Sequence, residues 1–198
     1  MFYMCRFDGG GMVALILVLG GGRSGKSAFA EELAARAGSR VVYVATAEVG
    51  DGEMARRVAV HRARRPASWR TVEEPRRPDR AVRLSGGEAD AVLVDCLTMW
   101  ITNLLLDDPD CPAEKKEALI LARARELADA AVAVPVPVIL VANEVGLGLV
   151  PDNPLGRVYR DIAGRVNQYL AGRAERVYLV VAGLPLELKA LSRTFAGD

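Results

Sequence analysis

The sequence has 198 residues, with 26 Lys and Arg against 25 Asp and Glu, and 51% of its residues are hydrophobic. A chain of this length buries roughly 70% of the surface that its unfolded form exposes, so its core needs neither disulfides nor a structural metal. Three cysteines without a C-x-x-C pair argue against a disulfide framework and a zinc site, and they fit a reducing cytoplasm. The net charge of +1 gives no general attraction to nucleic acid or membrane, although ten arginines between Arg56 and Arg83 form a locally basic region.

The N-terminal segment is predicted to be a loose tail over residues 1–12, followed by a single domain over residues 13–198. Its apolar run, Met12–Leu19, is much shorter than the ~20 residues that span a bilayer. A secretion signal is an alternative, but the glycine-rich segment directly after the run favours a buried strand. Met1 and Met12 both remain possible starts of translation.

Beyond the tail, short apolar runs alternate with amphipathic stretches, which is the pattern of an α/β protein with a mainly parallel sheet flanked by helices. The predicted strands are Val13–Leu19, Arg40–Ala45, Ala91–Val94, Val138–Ala142 and Arg176–Val181. The predicted helices are Lys26–Ala37, Asp51–Arg64, Leu97–Leu106, Ala113–Ala131 and Pro154–Gly172. Shorter elements are expected at Arg70–Glu73, an edge strand, and at Leu186–Leu191, whereas proline-rich linkers are expected at Glu74–Pro78 and Val134–Pro137.

The first strand leads into a phosphate-binding loop. Its sequence, Gly20-x4-Gly25-Lys26-Ser27, matches the P-loop pattern and stands between a predicted strand and a predicted helix, as the motif requires. The backbone N–H groups of such a loop surround phosphates, the lysine approaches the β- and γ-phosphates, and the serine hydroxyl binds Mg²⁺. The predicted nucleotide-binding residues here are Gly20, Gly21, Gly22, Arg23, Ser24, Gly25, Lys26 and Ser27.

A P-loop enzyme also needs an acidic residue, because the metal needs a carboxylate at the end of a neighbouring strand. Asp95, after Ala91–Val94, fits this Walker-B position. An apolar run that ends in Asp is common, and a capping Asp before the next helix is the alternative interpretation. Together with Ser27, Asp95 is the predicted metal-binding pair.

His61 is the only histidine of the chain and stands in the arginine-rich segment. Nearby guanidinium groups favour neutral imidazole, which is the nucleophilic form, and they attract phosphates. These properties suit attack on a nucleotide, but residue chemistry alone favours the alternative of an exposed helix histidine.

Several segments together resemble one family, the bifunctional adenosylcobinamide kinase/adenosylcobinamide-phosphate guanylyltransferases of cobalamin biosynthesis. The resemblance runs from about Leu15 to Lys189, and the segments have no general structural reason to occur together in this order. They are Gly21–Ser27, Tyr43–Ala47, Glu53–Arg57 leading to His61, Trp69–Glu73, Val94–Thr98, Thr102–Leu105, Asn143–Gly146, Val150–Pro151, Tyr159–Asp161 and Gly164–Gln168.

The resemblance implies a P-loop NTPase fold of the RecA-like kind and a two-step use of one nucleotide site. A kinase step moves the γ-phosphoryl group of ATP or GTP to adenosylcobinamide. A guanylyltransferase step then transfers GMP from GTP to that phosphate, through a histidine covalently bound to GMP. Lys26 and His61 are the implied catalytic residues, and Mg²⁺ is the implied cofactor.

The resemblance implies further nucleotide contacts, and the residue chemistry agrees for the arginines: Ala45, Thr46, Ala47, Arg62, Ala63, Arg64, Arg65, Glu73 and Asp95. It also implies a cytoplasmic homo-oligomer, a trimer in the known architecture, whose partners are adenosylcobinamide, its phosphate and GTP or ATP. No nucleic-acid partner and no membrane span are expected.

Three other functions remain as alternatives. A P-loop kinase for another small metabolite would phosphorylate its substrate without forming a guanylylated protein. A GTP-dependent switch is disfavoured because the chain lacks an Asn-Lys-x-Asp motif. A nucleic-acid binder could use the arginines, but Trp69 is the only aromatic residue among them, and such binding needs aromatic platforms or a larger basic surface.

Overall fold

The computed structural model describes residues 15–48, 52 and 65–191. Seven strands lie in this part of the chain: β1 (Leu15–Gly20), β2 (Val41–Ala45), β3 (Arg70–Glu73), β4 (Ala91–Asp95), β5 (Val138–Asn143), β6 (Arg176–Val181) and β7 (Leu184–Glu187). The helices are α1 (Lys26–Ala37), α2 (Pro78–Ser85), α3 (Leu97–Leu106), α4 (Ala113–Ala133), α5 (Pro154–Arg173) and α6 (Leu188–Leu191). Among these helices, none is long and apolar enough to cross a membrane.

The strands form one sheet in the order β3-β2-β4-β5-β1-β6-β7. All neighbours pair in parallel except β6 and β7, which are antiparallel. The carboxyl ends of β1, β2, β4 and β5 therefore meet at one edge of the sheet, where ligands bind in open α/β folds. The predicted α/β class, with helices on both faces of a mainly parallel sheet, is confirmed.

The two faces of the sheet bury separate sets of side chains. Along β1, Leu15, Leu17 and Leu19 pack with α2 to α5, whereas Ile16 and Val18 pack with α1 on the opposite face. A strand that is covered on both sides needs apolar residues at every position, which explains the uninterrupted run that precedes the P-loop. The core therefore holds β1, and with it the start of the loop, in a fixed position.

The predicted elements that fall in the described part were found within a few residues of their expected bounds. Helix α2 is not among the predicted elements, because the prolines at its start are equally typical of a linker. Pro78 is the first residue of α2, where its missing N–H costs nothing since that group has no partner within a helix. The tail and, apart from Gly52, the predicted helix Asp51–Arg64 lie outside the described residues.

Candidate functional site

The P-loop, Gly20–Ser27, connects the buried end of β1 to α1, as the motif predicts. Two of its residues have a positive φ, Arg23 at 58° and Gly25 at 95°. The Lys26 ammonium donates a hydrogen bond to the Gly21 carbonyl at 3.2 Å. On the outer side, the Gly183 N–H donates to the Ser24 carbonyl at 2.8 Å, so the β6–β7 turn supports the loop.

The glycines of the loop are of two kinds. A Cβ on Gly20 would lie 2.4 Å from Ser24 Oγ and 2.7 Å from the Val180 carbonyl oxygen, so no side chain fits there. Gly21 and Gly22 have nothing within 4 Å of such a Cβ. Their backbone therefore borders open space, which is what a polyphosphate needs to approach the N–H groups closely.

Asp95 ends β4 and forms a hydrogen bond with a tyrosine that the sequence analysis did not single out as a site residue. The Tyr43 hydroxyl donates to Asp95 Oδ2 at 3.0 Å. Burial raises the pKa of Tyr43 above its usual range, and the neighbouring Asp95 carboxylate raises it further. Tyr43 is therefore a neutral donor that fixes one oxygen of Asp95, while Asp95 Oδ1 accepts no hydrogen bond from a described residue.

Lys26, which follows the loop after β1, and Asp95, at the end of β4, belong to the same sheet edge, because both strands pair in parallel with β5. Burial raises the pKa of the Cys96 thiol, the Asp95 carboxylate raises it too, and the Lys26 ammonium lies close enough to lower it in part. The P-loop lysine and the end of β4 are thus within electrostatic range of each other. This is the arrangement that a Walker-A lysine and a Walker-B carboxylate require.

The donors available near this point suit a magnesium ion. Ser27 offers a hydroxyl in the first turn of α1, and Asp95 offers Oδ1. Mg²⁺ prefers oxygen ligands and is usually held by one or two protein groups together with nucleotide phosphates. The predicted metal-binding pair therefore fits the ion chemically.

The predicted segment Ala45–Ala47 is held against β4 through Thr46. Its buried hydroxyl donates to the Cys96 carbonyl at 2.7 Å and accepts from the Cys96 N–H at 2.9 Å. The Thr46 carbonyl accepts a hydrogen bond from Asn103 Nδ2 at 2.8 Å. Thr46 therefore fixes the backbone around Asp95, and only its neighbours Ala45 and Ala47 retain exposed surface.

The Arg65 guanidinium lies over the face of the Tyr43 ring. Its guanidinium carbon is 3.1 Å from the centroid of the Tyr43 ring, and Nη1 donates to Thr71 Oγ1 at 3.4 Å. Its Nε is buried and has no hydrogen-bond partner among residues 15–48, 52 and 65–191. Glu73, at the end of the edge strand β3, is exposed at the same sheet edge. The structure thus brings Glu73 and Asp95 to the sheet edge where the P-loop lies, whereas Arg65 contacts Tyr43 and Thr71 in the middle of β2 and β3.

The predicted nucleophile His61, together with Arg62, Ala63 and Arg64, lies outside the described residues. The chain re-enters the described part at Arg65, four residues after His61 and beside Tyr43. The role of His61 stays a prediction.

A second group of side chains meets the P-loop from the β5 side. The Glu144 N–H donates to the Gly20 carbonyl at 3.1 Å, and the Asn143 N–H donates to Thr98 Oγ1 at 2.9 Å. Asn167 Nδ2 in turn donates to the Asn143 carbonyl at 3.2 Å. Two buried amide oxygens, Oδ1 of Asn143 and of Asn167, accept no hydrogen bond within the described part of the chain. Helices α3 and α5 are thereby fixed to the base of the loop.

Comparison with known proteins gives consistent results. The family model for cobinamide kinase / cobinamide phosphate guanyltransferase matches residues 16–188. The bifunctional adenosylcobalamin biosynthesis protein CobP of Pseudomonas aeruginosa is 52% identical over 174 residues, which cover 87% of this chain and 96% of the relative. The CobU protein of Escherichia coli, also called bifunctional, is 45% identical over 181 residues, covering 88% of this chain and 99% of the relative.

A solved structure of a KaiC-like protein from Pyrococcus horikoshii aligns with 86% of this chain and 73% of that one, at 16% identity and a TM-score of 0.48. The family match extends from β1 to the start of α6, so it includes the P-loop, Asp95 and the α5 segment. The chain belongs to the cobinamide kinase / cobinamide phosphate guanyltransferase family of P-loop enzymes.

Proposed function

We propose that this protein phosphorylates adenosylcobinamide with ATP or GTP and then transfers GMP from GTP to the new phosphate, at one nucleotide site. The products of the second step are adenosylcobinamide-GDP and pyrophosphate. Relatives at 45% and 52% identity carry names that call them bifunctional. The observation that carries the proposal is the shared sheet edge: the P-loop follows the end of β1, Asp95 ends β4, and both strands pair in parallel with β5.

In the kinase step, the P-loop holds the phosphates of the nucleotide. The N–H groups around Gly21 and Gly22 border open space and can donate to phosphate oxygens. Lys26 gives up its bond to the Gly21 carbonyl and approaches the β- and γ-phosphates. Ser27 and Asp95 would hold Mg²⁺, which would supply positive charge to offset the charge that develops on the phosphates. The acceptor hydroxyl attacks the γ-phosphorus and releases its proton to solvent, the bond to the β-phosphate oxygen breaks, and ADP or GDP leaves.

In the guanylyltransferase step, a ring nitrogen of His61 attacks the α-phosphorus of GTP, and the bond to pyrophosphate breaks. A phosphate oxygen of the acceptor then attacks the same phosphorus, so the N–P bond breaks and His61 is restored. The covalent step divides one difficult displacement into two easier ones. Arg62, Arg64 and Arg65 offset charge on the α-phosphate and on the leaving group, while Ala63, Ala45, Thr46, Ala47 and Glu73 border the nucleotide.

The proposal includes the setting in which the enzyme works. By family resemblance we propose a homotrimer in the cytoplasm, with adenosylcobinamide, its phosphate, ATP and GTP as partners and no nucleic acid. Sedimentation equilibrium of the purified protein tests the trimer, since a monomer or dimer mass contradicts it.

Turnover with labelled nucleotides tests the two activities separately. Adenosylcobinamide is incubated with GTP that carries label in the γ-phosphate or in the α-phosphate, and the corrinoids are separated. Label from the γ-phosphate in adenosylcobinamide phosphate, and label from the α-phosphate in adenosylcobinamide-GDP, are the expected results. Transfer of the γ-phosphate alone contradicts the second activity and leaves a kinase.

A further inference from the structure

An open cavity lies between α5 and the loop that follows β5, and it has a volume of about 550 Å³. It is lined by Gly146, Arg160, Asp161, Gly164, Arg165 and Gln168. The loop residue Glu144 connects this cavity with the P-loop. Its N–H donates to the Gly20 carbonyl, and its carboxylate accepts from the Gly146 N–H at 2.5 Å. The cavity thus opens at the sheet edge where the nucleotide site lies.

Three side chains of the cavity, Arg160, Asp161 and Gln168, have unused hydrogen-bonding capacity. None of them forms a side-chain hydrogen bond or an ion pair with another residue in the described ranges, whereas Arg165 pairs with Glu117. A guanidinium donates, a carboxylate accepts, and a glutamine amide does both. This mixture suits neutral primary amides, whose carbonyl accepts and whose N–H groups donate. A phosphate suits it less, because the Asp161 carboxylate repels it.

The loop that leaves the cavity at Gly146 carries apolar side chains into solvent. Leu147 is 84% exposed, Leu149 is 96% exposed, and Val150 is exposed as well. Single exposed leucines are ordinary on protein surfaces, but clustered apolar residues beside a polar rim are typical of a binding surface.

We propose that this cavity and loop bind the corrin ring of the acceptor. The ring is a flat macrocycle with apolar faces and amide side chains around its edge. In this arrangement the amides enter the cavity and meet Arg160, Asp161 and Gln168, while one ring face lies against Leu147 and Leu149. Because the cavity of about 550 Å³ is open to solvent, it would receive only one edge of the corrinoid. The inference rests on the proposed function, because it requires a cobinamide acceptor.

The test measures binding of two probes, cobinamide and cobinamide phosphate, by the change in corrin absorbance in the presence of a non-hydrolysable GTP analogue. The variants are Arg160→Gln, Asp161→Asn and the double variant Leu147→Ser with Leu149→Ser. The controls are Leu84→Ser and Arg83→Gln on α2, since Leu84 is 81% exposed and Arg83 is exposed. Thermal melting and the affinity for the GTP analogue confirm that each variant is folded.

We expect the double leucine variant to raise the Kd of the corrinoids about tenfold, and each polar variant to raise it several-fold, with no change in the controls. The factor is the same for both probes, because the phosphorylated and unphosphorylated corrinoids share their amides. A loss confined to cobinamide phosphate overturns the inference and makes the cavity a phosphate site. Unchanged Kd values in all three variants overturn it too, while the proposed function stands. Failure of the wild-type protein to bind either corrinoid overturns both.

Discussion

The P-loop and the α5 cavity lie side by side at one sheet edge, but they are built differently. In the P-loop the backbone forms the site, and it is fixed from both sides by the β6–β7 turn and by Glu144. In the α5 cavity, side chains form the site, and several of them have no partner in the described part of the chain. A backbone site requires particular residue types at fixed spacing, whereas a side-chain site of this kind requires only that suitable groups converge.

We expect loss of the P-loop lysine to lower the two transfer rates more than any other substitution considered below. Lys26→Met removes the ammonium that meets the phosphates, so we expect both activities to fall by about 10²–10³-fold, as on loss of one donor to developing charge. Initial rates of phosphoryl and guanylyl transfer measure the change. Lys115→Met, an exposed lysine on α4, is the matched control and keeps both rates. Similar rates in Lys26→Met and Lys115→Met contradict the assignment.

Alanine substitutions at Gly20 and Gly21 compare a glycine that is closely packed with a glycine that borders open space. The Cβ of Gly20→Ala overlaps the Val180 carbonyl oxygen, so the variant loses about 1–3 kcal/mol of unfolding free energy. Gly21→Ala meets nothing and stays within about 1 kcal/mol of the wild type. Thermal and urea denaturation without nucleotide provide the measurement. Equal stability of the two variants contradicts the close packing under the loop.

Tyr43→Phe removes the hydrogen bond to Asp95 Oδ2 while keeping the ring under Arg65. A hydrogen bond to a charged group contributes about 1.5–3 kcal/mol, so we expect both activities to fall roughly tenfold or more. Tyr159→Phe on α5 is the control, because Tyr159 donates to the Thr98 carbonyl at 3.5 Å and does not contact Asp95. Equal kcat/KM values for the two variants show that Tyr43 does not position Asp95.

The contributions of Tyr43 and Tyr159 to the free energy of unfolding can be compared at alkaline pH. Burial raises the pKa of Tyr43 above its usual range and raises that of Tyr159 to about 12. Both remain neutral in the native state at pH values where the unfolded chain ionises, near pH 10. Their contribution to stability is therefore complete below pH 10 and decreases above it. We expect the wild type to lose more unfolding free energy than either phenylalanine variant between about pH 9 and pH 11, a range that extends about one unit on each side of the ordinary tyrosine pKa. Urea denaturation at each pH provides the measurement. Parallel losses in all three proteins contradict the buried, neutral state of these hydroxyls.

Much of the fold follows from the sequence because the strands are buried on both faces and are therefore continuous apolar runs. The P-loop and Asp95 could be predicted since their chemistry depends on spacing along the chain. Helix α2 was missed because proline at a helix start and proline in a linker look the same locally. Tyr43 and Asn103 acquire their contacts only through strand order, and no spacing along the chain encodes that order.

We propose that one nucleotide site performs phosphoryl transfer and, through His61, guanylyl transfer. The most direct test of this proposal is the intact mass of the purified protein after incubation with GTP and Mg²⁺, with ATP as a control and the His61→Ala variant in parallel. We predict an acid-labile adduct of one GMP on the wild type, formed from GTP and absent with ATP and from the variant. A folded wild-type protein that binds GTP and gains no mass, even when cobinamide phosphate is present, contradicts the guanylyl-histidine mechanism.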